Sequence, residues 1–394
     1  MEGTTDMNKG SNIFGQILKI IDRNDFHKTV ANYSSDKYSK GFNSWDHFVS
    51  MIFCQLAMAK SLREICDGLR SCAGKVGHLG MFRLPTKSNL SYVNSHRSHE
   101  FFEALFYQLL TKMQVERFPR KKKFRFKNKL YSYDATTIDL CLSMFDWAHY
   151  RKTKGAVKLH LLLDHDGYLP TFANITDGKT HEVNIARELK LAPGSIIALD
   201  RGYNDYSLFN DWTEGGVWFV TRMKTNATYD VVETHQIPAI KNIISDETIQ
   251  FTGYVAKKEC PVSLRKVVVW DDLNNKEIIL LTNNMKLAAS TISAIYKDRW
   301  EIELFFKVIK QNLRIKTFIG TSANAVKIQI WTALIAILLL KYMKFKSKLT
   351  WAVSNLVALI RLNLFVYVDL YSWLDNPFNQ AREPASEIQL TLFD

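Results

Sequence analysis

Apolar positions in the first quarter of the chain recur at helical spacing. In "SWDHFVSMIFCQLAMAKS" they follow Ser44 every three or four residues, and "SLREICDGL" opens with Ser61 and Glu64 in the register of a capping box. "TKSNLSYVNSHRSHEFFEALFYQLLTKM" starts from another cap, Thr86 or Ser88. Residues 12 to about 115 are therefore expected to be helical, with "SCAGKVGHLGMFRLP" separating short helices in a helix-turn-helix-like manner. A plain helical bundle accounts for that pattern equally well.

From residue 130 the period shortens to that of strands. "LYSYD" ends at Asp134, "VKLHLLLDHDG" reads as strand and turn, and "LPTFANI" as its partner strand. A helix in "EVNIARELK" precedes a buried strand in "GSIIALDRGY" that ends at Asp200. "DYSLFNDW" is helical and "GVWFVTRMK" is another strand. Residues 225–285 form a run of β-type segments with polar turns between them. The chain is then helical to about 375 and finishes in the polar stretch "NQAREPASEIQLTLFD".

Charge narrows the partners. A formal net charge of +13 and a pI near 9.3 favour a polyanion, nucleic acid or an anionic membrane. With 47% hydrophobic and 23% charged residues over 394 positions the chain is globular and large enough for two or three domains. Its five cysteines include no CxxC pair, which argues against a disulfide scaffold or a structural zinc site and fits a reducing cytosol. "MEGTTDMNKGSN" lacks the apolar core of a signal peptide. "IQIWTALIAILLL" at 328–340 has 13 uncharged residues. A membrane span needs about 20, so a buried helix is expected and nucleic acid leads. The densest charge lies in "RFPRKKKFRFKNK" at 117–129, eight Lys or Arg in 13 residues with three Phe interleaved. Most such runs are solvated tails; here the Phe residues and the place between two segments favour contact with a phosphate backbone.

One helical stretch, "YKDRWEIELFFKVIKQ" at 296–311, carries charge in an ordered way. Tyr296, Arg299, Glu303 and Lys310 are spaced 3, 4 and 7 apart, which at about 100° per residue gathers them within roughly 60° of one helix face. Glu301 points elsewhere. A solvated face with Glu303 bridging Arg299 and Lys307 would explain the stripe alone. Two Asp at strand ends change that balance. Asp134, Asp200 and Glu303 together supply the oxygen donors that hard cations take, and paired Mg²⁺ ions activate the attacking oxygen in phosphodiester displacement. Asp139, Asp164 and Asp166 are acidic competitors nearby.

Tyr296-x2-Arg299-x3-Glu303-x6-Lys310 resembles the YREK signature of DDE transposases of the IS-four group. "YSYDATTIDLCLS" and "IALDRGYND" are similar to the surroundings of that family's two catalytic Asp. The likeness covers roughly residues 10–345, with a looser match in the helical N-terminal part. It implies an α/β fold: a ribonuclease H-like catalytic core interrupted by a β-rich insertion, with an N-terminal helical DNA-binding domain and C-terminal helices. The 102 residues between Asp200 and Glu303 leave room for the insertion. The expected divisions are a DNA-binding domain at 1–116, a basic linker at 117–129, core at 130–224 and 286–345, insertion at 225–285, C-terminal helices at 346–378 and a tail at 379–394.

By that resemblance Asp134, Asp200 and Glu303 are the catalytic acids and bind two Mg²⁺ ions, with Mn²⁺ as a substitute. Tyr296, Arg299 and Lys310 contact the transposon-end phosphates, joined by Arg120, Lys121, Lys122 and Lys123 of the linker. Lys158 and His160 in "VKLHLLL" and His181 in "KTHEVN" are weaker candidates for a place near the metals, since a lone His is more often a hydrogen-bonded structural residue. Trp270 is a candidate for stacking on a flipped base, and Trp218 reads as core. The implied activity is cut-and-paste transposition on double-stranded inverted-repeat and target DNA, by a homodimer, in the bacterial cytoplasm at the nucleoid. A ribonuclease H-like nuclease without strand transfer and a catalytically silent, transposase-derived DNA-binding protein are the rivals; the intact acid set counts against the second. Finally, Gln389, Leu390, Leu392 and Phe393 resemble the QLxLF peptide by which bacterial proteins dock on the replicative sliding clamp.

Overall fold

The computed structural model describes residues 11–116, 123–151, 154–237, 242–315 and 317–378. They fall into two compact units, each assembled from separated segments: one takes the chain up to Leu109, Asn312–Gly320 and the chain from Ile328, the other Leu110–Gln311 and Thr321–Lys327. The C-terminal helices thus share a unit with the N-terminal ones rather than standing apart.

The first unit is helical. It holds α1 (Ile13–Leu18), α2 (Arg23–Asn32), α3 (Ser44–Ala57), α4 (Leu62–Ser71), α5 (Lys87–His96) and most of α6 (His99–Val115). Caps mark the starts. Asn43 and Asp46 form a reciprocal capping box at α3. Ser61 accepts from the Glu64 backbone at 3.1 Å, but the Glu64 carboxylate turns to the Lys60 amide at 2.8 Å, so the expected box at α4 is only half made. Thr86, not Ser88, caps α5.

Helix α3 is buried on nearly all sides, and the polar residues it buries are bonded, His47 to Asn94 and Ser50 to the Asp46 carbonyl. The apolar run 328–340 is buried too. It lies in α12, which follows in chain order after the sheet unit below and spans Ala323–Lys346. By length and composition α12 could cross a membrane, yet 83% of its most apolar stretch is covered within the protein. Buried amides are satisfied in pairs: Gln55 Nε2 donates to the Gln329 carbonyl (3.0 Å), and Gln329 Nε2 to the Arg314 carbonyl (2.6 Å). The final helices, α13 (Val353–Asn363) and α14 (Leu370–Asp375), close over α1. There the Phe14 amide donates to the Leu364 carbonyl at 2.8 Å, and the Phe14 ring packs against Phe53 and Phe365.

The second unit is a mixed sheet flanked by helices. Its elements are β1 (Leu130–Leu140), β2 (His149–Arg151), β3 (Lys154–Asp164), β4 (Leu169–Asp177), α7 (Glu182–Arg187), β5 (Ile196–Leu199), α8 (Tyr206–Glu214) and β6 (Trp218–Arg222). After these come β7 (Tyr229–Thr234), β8 (Ile243–Phe251), α9 (Tyr254–Glu259), β9 (Leu264–Asp271), β10 (Lys276–Thr282), α10 (Ala289–Asp298) and α11 (Trp300–Asn312). Strand order is β2-β3-β1-β5-β6-β10-β9-β8-β7, with β4 also on β3. β3 runs antiparallel to β1, whereas β5 and β6 run parallel to it. The β-type run at 225–285 contributes β7 to β10, which extend the same sheet beyond β6 instead of forming a separate layer.

Both faces of the middle strands are covered, so β5 reads as four apolar residues without alternation. Ile197, Leu199 and Phe219 pack with α7 and α8 on one face; Ile196, Ala198 and Val220 pack with Ile292 and Ile295 of α10 on the other. Trp218 is half-buried against that second core, close to its expected role.

Candidate active site

Register places the first two acids. Tyr133 of β1 is paired in parallel with Leu199 of β5, so Asp134 and Asp200 follow as neighbours, about 4.8 Å apart along the hydrogen-bonding direction. Asp134 is not at the end of its strand, as expected from sequence, because β1 runs on to Leu140 through its pairing with β3. It sits at the level where β5 stops. Asp200 begins a 3₁₀ turn over Arg201–Tyr203.

The continuous helix expected over 296–311 is two helices, α10 and α11, meeting at Arg299. The chain tightens there: the Ile302 amide bonds to the Arg299 carbonyl three residues back. Arg299 keeps helical dihedrals, so the stripe survives the junction. Its guanidinium is not on a solvated face; the residue is 7% exposed. Nη2 donates to Glu303 Oε1 at 2.7 Å and Nη1 stands 3.9 Å from Asp134 Oδ2. Tyr296 lies under the guanidinium, 5.5 Å from ring centroid to Cζ, and its hydroxyl donates to Asp200 Oδ1 at 3.4 Å. Lys310 Nζ donates to the Thr137 carbonyl on β1 at 3.0 Å. Tyr296 and Arg299 therefore meet the two strand acids and bring Glu303 to them, while Lys310 anchors α11 to the backbone of β1.

Burial dominates the electrostatics. It pushes the Asp134 carboxyl up to about 6, against hydrogen bonds from the Ala135 amide (2.8 Å) and the Tyr203 hydroxyl (3.2 Å) and the nearby Arg299 charge. Arg299 is held above its usual value despite burial, because Glu303 bonds to it. Among the described residues its Nε and Nη1 are buried without a hydrogen-bond partner. Two carboxylates, Glu303 and Asp134, thus face one guanidinium with unused donors, and the third, Asp200, is reached through Tyr296. Among the described residues no group of three or more His, Cys, Asp and Glu side chains is gathered closely enough to hold an ion. The donor set, all carboxylate oxygen, suits a hard divalent cation once Glu303 turns from Arg299.

Sequence reasoning missed two supports of the site. Tyr203 is one; its only signal was its place in "DRGYND". The other is a buried relay in which Asp298, next to Arg299, accepts from His165 Nδ1 at 2.5 Å, and His165 Nε2 meets Ser132 Oγ at 2.7 Å. Lys123 of the basic run also pairs with Asp298, so this member of the expected DNA contacts is engaged within the fold. Arg120, Lys121, Lys122 and the tail residues Gln389, Leu390, Leu392 and Phe393 lie outside the described residues.

The remaining candidates are separated by their contacts. Asp164 and Asp166 share Lys129 at 2.7 and 2.8 Å, away from the triad. His160 is fully buried between the Tyr133 hydroxyl and Thr176, and burial lowers it to about 4; it is a neutral structural residue behind Asp134. Lys158 pairs with Glu182 at 3.1 Å, and both line a cleft with His181 and Gly202 close to Asp200. Trp270 is half-buried on β9, three strands from β5.

Comparison with known proteins gives the family. Residues 125–339 match the family described as Transposase DDE domain, and residues 9–82 match a family described only as a domain of unknown function, DUF4372. The Sinorhizobium fredii protein y4zB, named as a candidate transposase, is 32% identical over 60% of this chain and 67% of its own length. A Geobacillus stearothermophilus protein named for insertion sequence element IS5377 is 31% identical over 58% of this chain and 60% of its own length. A Synechocystis protein named for insertion sequence element IS4SA is 27% identical over 48% of each chain.

Proposed function

Because the chain belongs to the DDE transposase family, we propose that it cuts the inverted-repeat ends of its own insertion sequence from flanking DNA and joins them to a target. The observation that carries the reading is the parallel register that sets Asp134 beside Asp200, with Glu303 tied to the pair through Arg299 and Tyr296. The order β4-β3-β1-β5-β6, three antiparallel strands followed by two parallel to β1, supports a ribonuclease H-like core. The strands β7 to β10 are then its insertion.

In this reading Asp134, Asp200 and Glu303 hold two Mg²⁺ ions, with Mn²⁺ as a substitute. Bound there, such ions lower the pKa of an attacking water or 3′-hydroxyl and stabilise the departing oxygen. Arg299, whose buried Nε and Nη1 make no hydrogen bond among the described residues, would turn them to phosphate oxygens once metal takes its place beside Glu303 and Asp134, a charge-assisted contact for which guanidinium geometry is suited. Tyr296 orients both Arg299 and Asp200, and Lys310 adds positive charge beside β1. The helical N-terminal unit and the basic run 117–129, including Arg120, Lys121 and Lys122, grip the DNA backbone. Two ends must be paired before excision, so the working form is a homodimer. Its place is the bacterial cytoplasm at the nucleoid, and the C-terminal QLxLF-like peptide docks it on the sliding clamp.

A duplex carrying the DNA that flanks the gene tests the reading. Incubated with the protein and Mg²⁺ it should yield recessed or flush 3′-hydroxyl ends and, with a target plasmid, joined products. Cleavage without joining would favour a nuclease, and no cleavage with any divalent metal would refute the proposal.

A further inference from the structure

The segment 33–42 and helix α5 build a second surface in the helical unit. Its loop is rigidly held. Arg97, 8% exposed, donates Nε to the Ser35 carbonyl (2.9 Å) and Nη2 to the Phe42 carbonyl and the Asp36 carboxylate (both 3.2 Å). Asp36 also accepts from the Ser44 amide and hydroxyl at 2.7 Å, so its charge is spent on the scaffold. Ser34 and Tyr38 both take positive φ, a strained conformation for non-glycine residues, within this fixed loop. Gly41, at φ +94°, lets the Arg83 guanidinium approach: a Cβ there would meet its Cζ at 3.0 Å.

What this ordered loop displays is not what a protein hides. Tyr38 is 87% exposed and Tyr92 across the cleft 63% exposed. Lys37 and Lys40 flank Tyr38, and the Arg83 guanidinium lies against Gly41 of the same loop. No carboxylate bridges these three cations among the described residues. Asp46, the acid beside Arg83, is used internally, accepting from the Phe82 and Arg83 amides at 2.7 and 3.2 Å.

Helix α5 supplies the centre. It is anchored by buried Leu90 and by buried Asn94, which bonds His47 at 2.8 Å. Its outward face carries Ser88, Asn89, Ser91, Tyr92, Ser95 and His96, all exposed, within roughly 160° at 100° per residue. That face has neutral hydrogen-bonding groups and no acid or aliphatic residue. A protein partner would call for an apolar centre. Base edges in a DNA major groove call for short polar side chains on an exposed helix, with cations at the flanks for phosphates.

We infer that α5 reads base edges in the major groove of duplex DNA, while Lys37, Lys40 and Arg83 hold the adjacent phosphate backbone. Lys37 and Lys40 fall within residues 9–82, which match a family of undefined function, and α5 lies just beyond that match. It deepens the proposed DNA binding of the N-terminal unit and rests on that reading.

Selection from random-sequence duplexes by the full-length protein, with EDTA present to prevent cleavage, tests it. The wild type should enrich a defined sequence. N89A with S91A should lose or change that sequence at one to three positions, with about tenfold weaker binding to the wild-type site and an unchanged salt dependence. K37A with K40A should keep the selected sequence, weaken all duplexes alike and lower the salt slope by about 0.9 for each phosphate no longer neutralised. Variants that remain folded by circular dichroism and select and bind as wild type would overturn this surface alone. A wild-type protein that binds no duplex would overturn the transposase reading with it.

Discussion

Arg299 donates to Glu303 at 2.7 Å and stands 3.9 Å from Asp134, so a single buried guanidinium links an acid of α11 to an acid of β1. In the proposed site it stands, electrostatically, where a divalent cation held by Asp134 and Glu303 would bind. Removing it should therefore tighten cation binding while harming catalysis. Calorimetric titration of Arg299→Gln with Mn²⁺ should show about tenfold stronger binding than wild type, a change of ~1.4 kcal/mol, and cleavage of end DNA should fall sharply. Weaker Mn²⁺ binding in this variant would mean that Arg299 organises the acids rather than competing for them.

Replacing Asp134, Asp200 or Glu303 by Ala should abolish divalent-dependent cleavage while DNA affinity, measured by gel shift, stays nearly intact. Glu301, the next-but-one residue before Glu303, should tolerate Ala with a mild effect. A dead Glu301→Ala beside an active Glu303→Ala would show that the register of α11 is wrongly placed.

Acid should destabilise the helical unit through His47. Burial, reinforced by the Arg97 charge, drops this imidazole from 6.5 to about 3 in the folded chain. The unfolded chain binds its proton near 6.5, so the stability this neutral His contributes is complete above about 6.5 and falls as pH drops toward 3. The slope is up to ~1.4 kcal/mol per pH unit. Denaturation of His47→Gln, followed between pH 7 and 5, should show a shallower decline by about one proton; identical slopes would indicate that His47 titrates normally.

The basic run should set the salt dependence of DNA binding. Neutralising Lys121, Lys122 and Lys123 together should flatten the plot of log affinity against log salt, by up to about 0.9 for each phosphate that then keeps its counterion. Lys123 alone should matter least for DNA, since Asp298 already engages it, and Lys123→Ala should instead lower thermal stability. An unchanged slope in the triple variant would assign the run to a solvated linker.

A peptide of residues 383–394 should bind purified bacterial sliding clamp, seen by fluorescence polarisation. Leu392→Ala with Phe393→Ala should remove that binding and leave end cleavage untouched. No binding at high micromolar peptide would discard clamp docking.

Local pattern carried much of this protein. Helical periodicity marked 12 to about 115 as helical and singled out the stretches of α3 to α6, alternating and continuous apolar runs marked β1, β3, β4, β5 and β6, and the 3-4-7 spacing singled out Tyr296, Arg299, Glu303 and Lys310. These are properties of neighbours along the chain, which dihedral preference and side-chain period express directly. Asp134 shows where that ends. Its strand continues to Leu140 because β3 pairs along its whole length, from Tyr131 with Asp164 to Leu140 with Gly155, a partnership that no window on "LYSYD" contains. The union of the C-terminal helices with α1, the addition of β7 to β10 to the central sheet, and the break at Arg299 are likewise set by packing between distant segments. So is the Asp298–His165–Ser132 relay, whose members lie on three separate elements. Which residues are chemically able to act was legible from type and spacing; which of them share a face, and which are neutralised there, depended on long-range strand register and burial.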